Sequence, residues 1–93
     1  MFNNTYNGWT NRATWLVNLW MDEDQGINFH WYEQALAASS AYELSQTIQY
    51  FYVDYMPEQH GLYSDLMCTV LAEVNWCEIA EFLIDNVLEN DHE

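Results

Sequence analysis

The sequence contains almost no positive charge. Of its 93 residues, one is arginine, none is lysine and 15 are aspartate or glutamate, so the formal net charge at pH 7 is −14. A protein that binds nucleic acid directly neutralises several phosphates with lysine or arginine, and binding to an anionic membrane surface uses the same side chains. One arginine cannot supply either kind of contact. We therefore expect neither a nucleic acid nor a membrane as a direct partner.

Other residues and segments are also scarce. Two cysteines, Cys68 and Cys77, are too few for a disulfide scaffold and lack the spacing of a redox or zinc motif. We expect buried or half-buried free thiols, with a disulfide between them as the less favoured alternative. No apolar run approaches the roughly 18 residues of a membrane span, and the first residues lack the cationic leader of a signal peptide. These absences favour a soluble intracellular protein.

Apolar material, by contrast, is abundant. Hydrophobic residues make up 51% of the chain and aromatic residues 17%, so the chain can form a core and intrinsic disorder is not expected. The length allows one domain. One proline and three glycines interrupt the sequence, and no segment shows the sustained alternation of a strand. The composition therefore predicts a single all-α domain over residues 1–93, folded as a compact bundle.

Capping signals and apolar periodicity divide the chain into about five short helices. After an irregular arm (residues 1–10), helices are predicted at about 11–21, 29–38, 41–56, 62–74 and 76–88, and residues 89–93 are predicted to form a frayed acidic tail. The expected N-caps include Asn11 (or Thr10), Asn28, Ser40 and Asn75. Pro57 should end the third helix. The fourth helix has the widest apolar arc, so we expect it to be the most buried.

No catalytic or metal-binding pattern is found in the sequence. His30 and Glu33 lie one helical turn apart, but a dinuclear metal site needs a second pair of this kind. The acidic turn at residues 22–24 lacks the oxygen pattern of an EF-hand. A nucleophile elbow, a phosphate-binding loop and a glycine-rich dinucleotide turn are also missing. We therefore expect no enzyme activity, no metal and no cofactor.

Four carboxylates recur on one side of the last predicted helix. Glu78, Glu81, Asp85 and Glu89 fall within an arc of about 80°, in axial steps of about 4.5–6 Å. Residues 58–93 carry nine acids and no lysine or arginine. Such a surface costs stability through self-repulsion, but it steers cationic partners and can replace a phosphate backbone. We interpret it as a binding surface; the alternatives are an ordinary solvated helix face and adaptation to high salt.

Further residues extend the predicted binding surface. Tyr50 falls on the polar side of the third helix, where an aromatic ring can anchor arginine or lysine by a cation–π contact. Arg12 is expected to pair with an internal carboxylate. The tryptophans expected in the core are Trp15, Trp20, Trp31 and Trp76. The complete predicted partner-binding set is Glu78, Glu81, Asp85, Glu89, Asp22, Glu23, Asp24, Glu73 and Tyr50.

Two blocks of the sequence resemble a known group of proteins. Residues 7–20 read NGWTNRATWLVNLW and residues 74–81 read VNWCEIAE. The first block is similar to the motif N-G-W-x-N-R-x-T-W-x-V-x-L-W of small acidic proteins from phages and mobile elements, and the second is similar to a later block of the same group. The resemblance implies an accessory gene of a phage or plasmid. Small acidic proteins from such genes include DNA-mimicking antirestriction and anti-CRISPR proteins.

These observations combine into one functional expectation. We predict a phage-encoded, non-enzymatic inhibitor of a bacterial defence system, which presents a DNA-mimicking carboxylate surface to the basic nucleic-acid-binding groove of a CRISPR effector subunit or a restriction enzyme. It would act in the cytoplasm of the infected host as a monomer or weak dimer. The alternative is a non-catalytic phage or plasmid interaction module that binds a partner through its aromatic surface.

Overall fold

The structure is a computed structural model that describes residues 5–54 and 61–91, without the side chains of residues 90 and 91. In the described ranges the chain forms five α-helices and a π-helical turn: α1 (Arg12–Glu23), α2 (Gln25–Ala37), α3 (Ala41–Gln49), the π turn (Tyr50–Asp54), α4 (Leu62–Ala72) and α5 (Trp76–Asp91). The only β pairing among these residues is an isolated bridge between Tyr6 and Trp9. The prediction of a single all-α domain of about five short helices is confirmed.

Two of the predicted N-caps begin their helices as expected. At α1, Asn11 Oδ1 accepts the backbone N–H of Thr14 at 2.9 Å. At α3, Ser40 Oγ accepts the backbone N–H of Glu43 at 3.1 Å. The Glu43 carboxylate reaches back to accept the backbone N–H of Ser39 at 2.9 Å, one residue before the cap. These bonds satisfy donors that the first turn of a helix leaves without a partner.

The predicted cap of the second helix is wrong. Asp24 caps α2, because its Oδ1 accepts the backbone N–H of Ile27 at 3.0 Å. Asn28 lies inside α2 instead, and its side chain donates to Asp22 Oδ1 at 2.9 Å. The acidic turn predicted at residues 22–24 is reduced to Asp24 alone, between the end of α1 and the start of α2.

The core forms around α5, which packs against α3, α2 and α1. Its apolar face is buried at Ile79, Ala80, Leu83 and Val87. Trp31 and Trp76 are buried as predicted, and Trp15 is half-buried. Trp20 is not in the core, because 67% of its surface is exposed. It lines an open cleft instead.

The prediction that the fourth helix is the most buried is also wrong. No residue of α4 is buried, and Leu62 and Tyr63 are each 67% exposed. Leu66, Met67 and Val70 of its wide apolar arc line an open cleft, and Leu71 packs against the core. Cys68 on α4 and Cys77 on α5 are free thiols as predicted, but both are exposed, so the expected burial is wrong.

The ends of two other helices differ from the predicted ones. The third helix is α-helical only to Gln49 and continues as the π turn to Asp54. Pro57, predicted to end it, lies outside the described residues. The last helix continues to Asp91, so residues 89–91 are helical where a frayed tail was predicted. None of the helices in the described residues is long and apolar enough to cross a membrane.

Candidate partner-binding surface

A buried hydrogen-bond network joins α1 to the segment that precedes α5. Thr14 is fully buried, at 0% exposure. Its hydroxyl donates to Asn11 Oδ1 at 2.7 Å and accepts the backbone N–H of Asn75 at 2.9 Å. The Asn11 side-chain amide in turn donates to the backbone carbonyl of Glu73 at 2.8 Å. Two positions about sixty residues apart are thereby held in one geometry.

A second set of hydrogen bonds continues from Asn75 to the arm. The Asn75 side-chain amide donates to Thr10 Oγ1 at 3.2 Å, and Asn75 Oδ1 accepts the backbone N–H of Glu78 at 3.1 Å, which confirms the predicted cap of α5. The Glu78 carboxylate accepts the backbone N–H of Thr10 at 2.9 Å. The Glu78 side chain is half-buried, and this hydrogen bond is made within the protein. Glu78 therefore has a structural role in addition to its predicted place on the acidic face.

The arm folds into a tight turn over the first helix. The backbones of Tyr6 and Trp9 exchange two hydrogen bonds of 2.8 Å, and Asn7 and Gly8 between them have φ values of +49° and +90°. Glycine adopts such a positive φ without the strain that a Cβ introduces. The turn places the Trp9 ring edge-on against Phe82 of α5, with ring centroids 5.1 Å apart.

Arg12, the single arginine in a sequence without lysine, contacts an aromatic ring. Its guanidinium carbon lies 5.7 Å from the centroid of the Tyr6 ring, and Tyr6 packs edge-on against Trp15 at 4.8 Å. In the part of the chain that the structure describes, no carboxylate pairs with Arg12. The predicted pairing with an internal carboxylate is therefore replaced by a cation–π contact.

The acidic face of α5 consists of Glu81, Asp85 and Glu89, all exposed. Over the described residues, none of these carboxylates has a cationic neighbour, because Arg12 lies against Tyr6. Glu81 and Asp85 line a shallow cleft of about 340 Å³, which Trp9 also lines. An acidic surface with an aromatic ring at its edge can hold a lysine or arginine side chain by charge and by cation–π attraction.

The predicted acids at residues 22–24 meet the acidic face of α5 at one point. Asp22 and Glu89 line the same small cleft of about 200 Å³. Asp22 and Glu23 are exposed, although Asp22 also accepts the hydrogen bond from Asn28. Asp24 is committed to capping α2. The structure thus brings Asp22 toward the acidic face of α5 and gives Asp24 a local structural function.

Glu73 and Tyr50 lie apart from the clefts that border the acidic face. Glu73 is the exposed C-cap of α4, and its backbone carbonyl is held by Asn11. Tyr50 begins the π turn and is 57% exposed, as predicted for a surface aromatic residue. Among the described residues, the three clefts that Glu81, Asp85 or Glu89 line include neither Glu73 nor Tyr50.

An apolar cleft is the surface feature that sequence reasoning missed. It has a volume of about 600 Å³ and lies between α1, the π turn and α4; six of the side chains that line it are Leu16, Val17, Trp20, Phe51, Leu66 and Val70. At its edge Tyr52 is held by the indole N–H of Trp31, which donates to the Tyr52 hydroxyl at 3.4 Å. Burial raises the pKa of Tyr52, an effect that this hydrogen bond partly offsets. Apolar periodicity identifies the apolar faces of α1 and α4, but it cannot show that the two faces border an open cleft instead of packing together.

The family of the chain is shown by a match over nearly its full length. A model described as "Family of unknown function (DUF7249)" matches residues 2–91. The chain belongs to DUF7249. No curated protein and no solved structure matches this DUF7249 chain significantly. The match includes residues 7–20 and 74–81, which are the two segments that the network around Thr14 and Asn75 joins. In the described part of the DUF7249 chain, no group of side chains is arranged to hold a metal ion.

Proposed function

We propose that this DUF7249 protein is a phage-encoded, non-enzymatic inhibitor of a bacterial defence system, acting in the cytoplasm of the infected host. Its acidic face would occupy the basic groove in which a restriction enzyme or a CRISPR effector subunit binds nucleic acid. In this proposal Glu81, Asp85 and Glu89 substitute for backbone phosphates. Asp22 and Glu23 extend the negative surface toward α1.

The observation that carries the proposal is the exposure of three uncompensated acids on one rigid helix. Glu81, Asp85 and Glu89 are spaced four residues apart and are all exposed. Four residues of α-helix rise about 6 Å, and the phosphates of one DNA strand rise about 3.4 Å each. Successive acids therefore correspond to roughly every second phosphate.

Electrostatic energy favours a cationic partner for this surface. Like charges four residues apart on a helix destabilise it by about 0.2–0.5 kcal/mol per pair, and a net charge of −14 adds repulsion across the whole molecule. Binding to a basic groove relieves that repulsion and replaces it with attraction. The electrostatic field of the negative surface also increases the rate of association with a basic partner at low salt.

Phage plating tests the proposal in cells. The protein is expressed in bacterial strains that each carry one restriction or CRISPR system, and plating of a targeted phage is compared with and without expression. We expect plating to rise in at least one strain. Changing both Glu81→Lys and Asp85→Lys should abolish that rise, because the reversed charges repel a basic groove.

A matched variant controls for the change in total charge. Glu33 and Asp54 are exposed acids outside the acidic face, and Glu33→Lys with Asp54→Lys changes the net charge by the same amount. This control should still raise plating. Equal loss of activity in both double variants, or no rise in any strain for the unmodified protein, would contradict the proposal.

A second candidate function has a specific observation in its favour. Large apolar side chains are exposed on several helices, including Trp20 and Phe29 at 67% and 61%. A contiguous exposed apolar surface, such as the cleft that Trp20, Leu66 and Val70 line, commonly marks a protein interface. The second candidate is a non-catalytic interaction module of a phage or plasmid that binds a partner protein through its aromatic surface.

A further inference from the structure

The cleft between α1 and α4 is an apolar surface without an occupant in the described part of the chain. Trp20, Leu66 and Val70 line it and are 67%, 51% and 45% exposed. α4 has no buried residue, and an isolated helix of 11 residues is marginally stable in water. Filling the cleft would bury one face of α4 and stabilise the helix.

The chemistry of the lining favours a helical occupant. The cleft is lined by apolar and aromatic side chains, and the Tyr52 hydroxyl at its edge already accepts a hydrogen bond from Trp31. An extended peptide needs hydrogen-bond partners for its backbone, and this lining supplies few. An α-helix satisfies its own backbone and presents apolar side chains at i, i+3 or i+4, and i+7.

The charges around the cleft determine which helix fits. Each of the three lining elements carries an exposed acid close in sequence to a lining residue: Glu23 on α1, Asp54 on the π turn, and Asp65 and Glu73 on or directly after α4. A second copy of the chain would bring the same acids and a charge of −14, so self-association is opposed. Lysine or arginine beside the apolar face of an incoming helix would be attracted.

We infer that the cleft between α1 and α4 docks an amphipathic helix of a partner protein, with large apolar side chains on one face and lysine or arginine along its flanks. This inference rests on the second candidate function and is independent of the acidic face of α5. The partner would supply apolar anchors for Trp20, Leu66 and Val70, and cations for the exposed acids on the elements that form the cleft.

Three synthetic peptides of about 18 residues, which is about five helical turns, test this inference. The first carries leucine on one face and lysine on its flanks. The second keeps the lysines and replaces every leucine with glutamine, and the third keeps the leucines and replaces every lysine with glutamate. Affinities are measured by the fluorescence anisotropy of a label on each peptide, and amide exchange of the full chain is compared with and without peptide.

We expect the leucine and lysine peptide to bind and to slow amide exchange in α4. Both other peptides should bind at least about tenfold more weakly, since central apolar anchors dominate interface affinity and like charges oppose approach. Equal binding of the two lysine peptides would overturn the inference, because it would show attraction by charge alone. Slower amide exchange confined to α5 would overturn the inference as well.

Matched leucine variants locate the binding site. Leu66 lines the cleft and Leu88 on α5 does not, although their exposures are nearly equal at 51% and 53%. Leu66→Gln should weaken peptide binding about tenfold, and Leu88→Gln should leave it unchanged. Equal effects of the two substitutions would contradict docking in the cleft.

The double charge variant separates this inference from the proposed defence function. With Glu81→Lys and Asp85→Lys the chain should still show peptide-induced protection of α4, while its effect on phage plating is lost. Loss of α4 protection in this variant would show that the peptide depends on the α5 face, which would overturn the inference and leave the defence proposal intact.

Discussion

The hydroxyl of Thr14 accepts the backbone N–H of Asn75 at 2.9 Å across 61 residues of sequence. It also donates to Asn11, so one buried side chain connects the cap of α1 to the cap of α5. This connection holds the start of α5 against the start of α1. Hydrogen bonds from Asn75 and Glu78 to Thr10 hold it against the arm as well.

Thr14→Val tests this connection. Valine keeps the shape of the side chain and removes its hydroxyl, which leaves the Asn75 N–H without its partner. We expect a loss of about 1–3 kcal/mol in the free energy of unfolding, measured by urea denaturation. Thr47→Val is the control, because the Thr47 hydroxyl is exposed and only donates to the Glu43 carbonyl at 3.2 Å. A loss no larger than that of the control would contradict a structural role for the network.

Asp24→Ala tests the cap of α2. Removing the carboxylate leaves the Ile27 N–H without its acceptor, and loss of an N-cap costs about 1 kcal/mol. The neighbouring Glu23 is exposed and caps no helix, so Glu23→Ala should change the free energy of unfolding much less. Equal stability of the two variants, measured by thermal unfolding, would argue against Asp24 as the cap.

The pH dependence of stability should report on Tyr52. Burial raises the pKa of Tyr52 above the ordinary value of 10.0, so the folded chain holds the phenol proton more tightly than the unfolded chain does. This contribution is complete below the unfolded pKa and is lost as pH rises through the folded pKa. The free energy of unfolding, measured by urea denaturation at neutral pH and above pH 10, should therefore fall more steeply with pH for the unmodified protein than for Tyr52→Phe. Parallel declines would contradict the raised pKa.

Salt should stabilise the fold. With a net charge of −14 and a single cation that lies against Tyr6, repulsion between carboxylates opposes the folded state, and ions screen it. We expect the Tm to rise when sodium chloride is increased from about 10 to 200 mM, a range over which the Debye length falls from about 30 Å to below 10 Å. The variant with Glu81→Lys and Asp85→Lys should show a smaller rise. A Tm that does not change with salt would contradict this electrostatic description.

Much of the fold could be predicted from local sequence signals. Three of the four predicted N-caps are correct: Asn11, Ser40 and Asn75. In each, the side chain accepts the backbone N–H of the residue three positions later. The inward face of α5 follows from its period, because Ile79 and Leu83 alternate with the acids at helical spacing. Such signals lie within a few residues of each other and need no knowledge of the rest of the chain.

Features that depend on distant contacts could not be predicted in this way. The apolar arc of α4 is real, but periodicity does not show which surface it faces, and in the structure it borders an open cleft. Periodicity likewise predicts Trp20 in the core, but Trp20 is 67% exposed. At the candidate site, the Glu78 carboxylate accepts the N–H of Thr10, a contact that no local spacing indicates.

The central claim is that the acidic face of α5 competes with nucleic acid for a basic groove. The most direct test is the affinity for the defence protein identified by plating, measured at about 50 and 200 mM salt with and without its DNA. A protein that replaces several phosphates should lose affinity by orders of magnitude over this range, and bound DNA should exclude it. An affinity that does not change with salt, or a complex that holds DNA and this protein together, would contradict the claim.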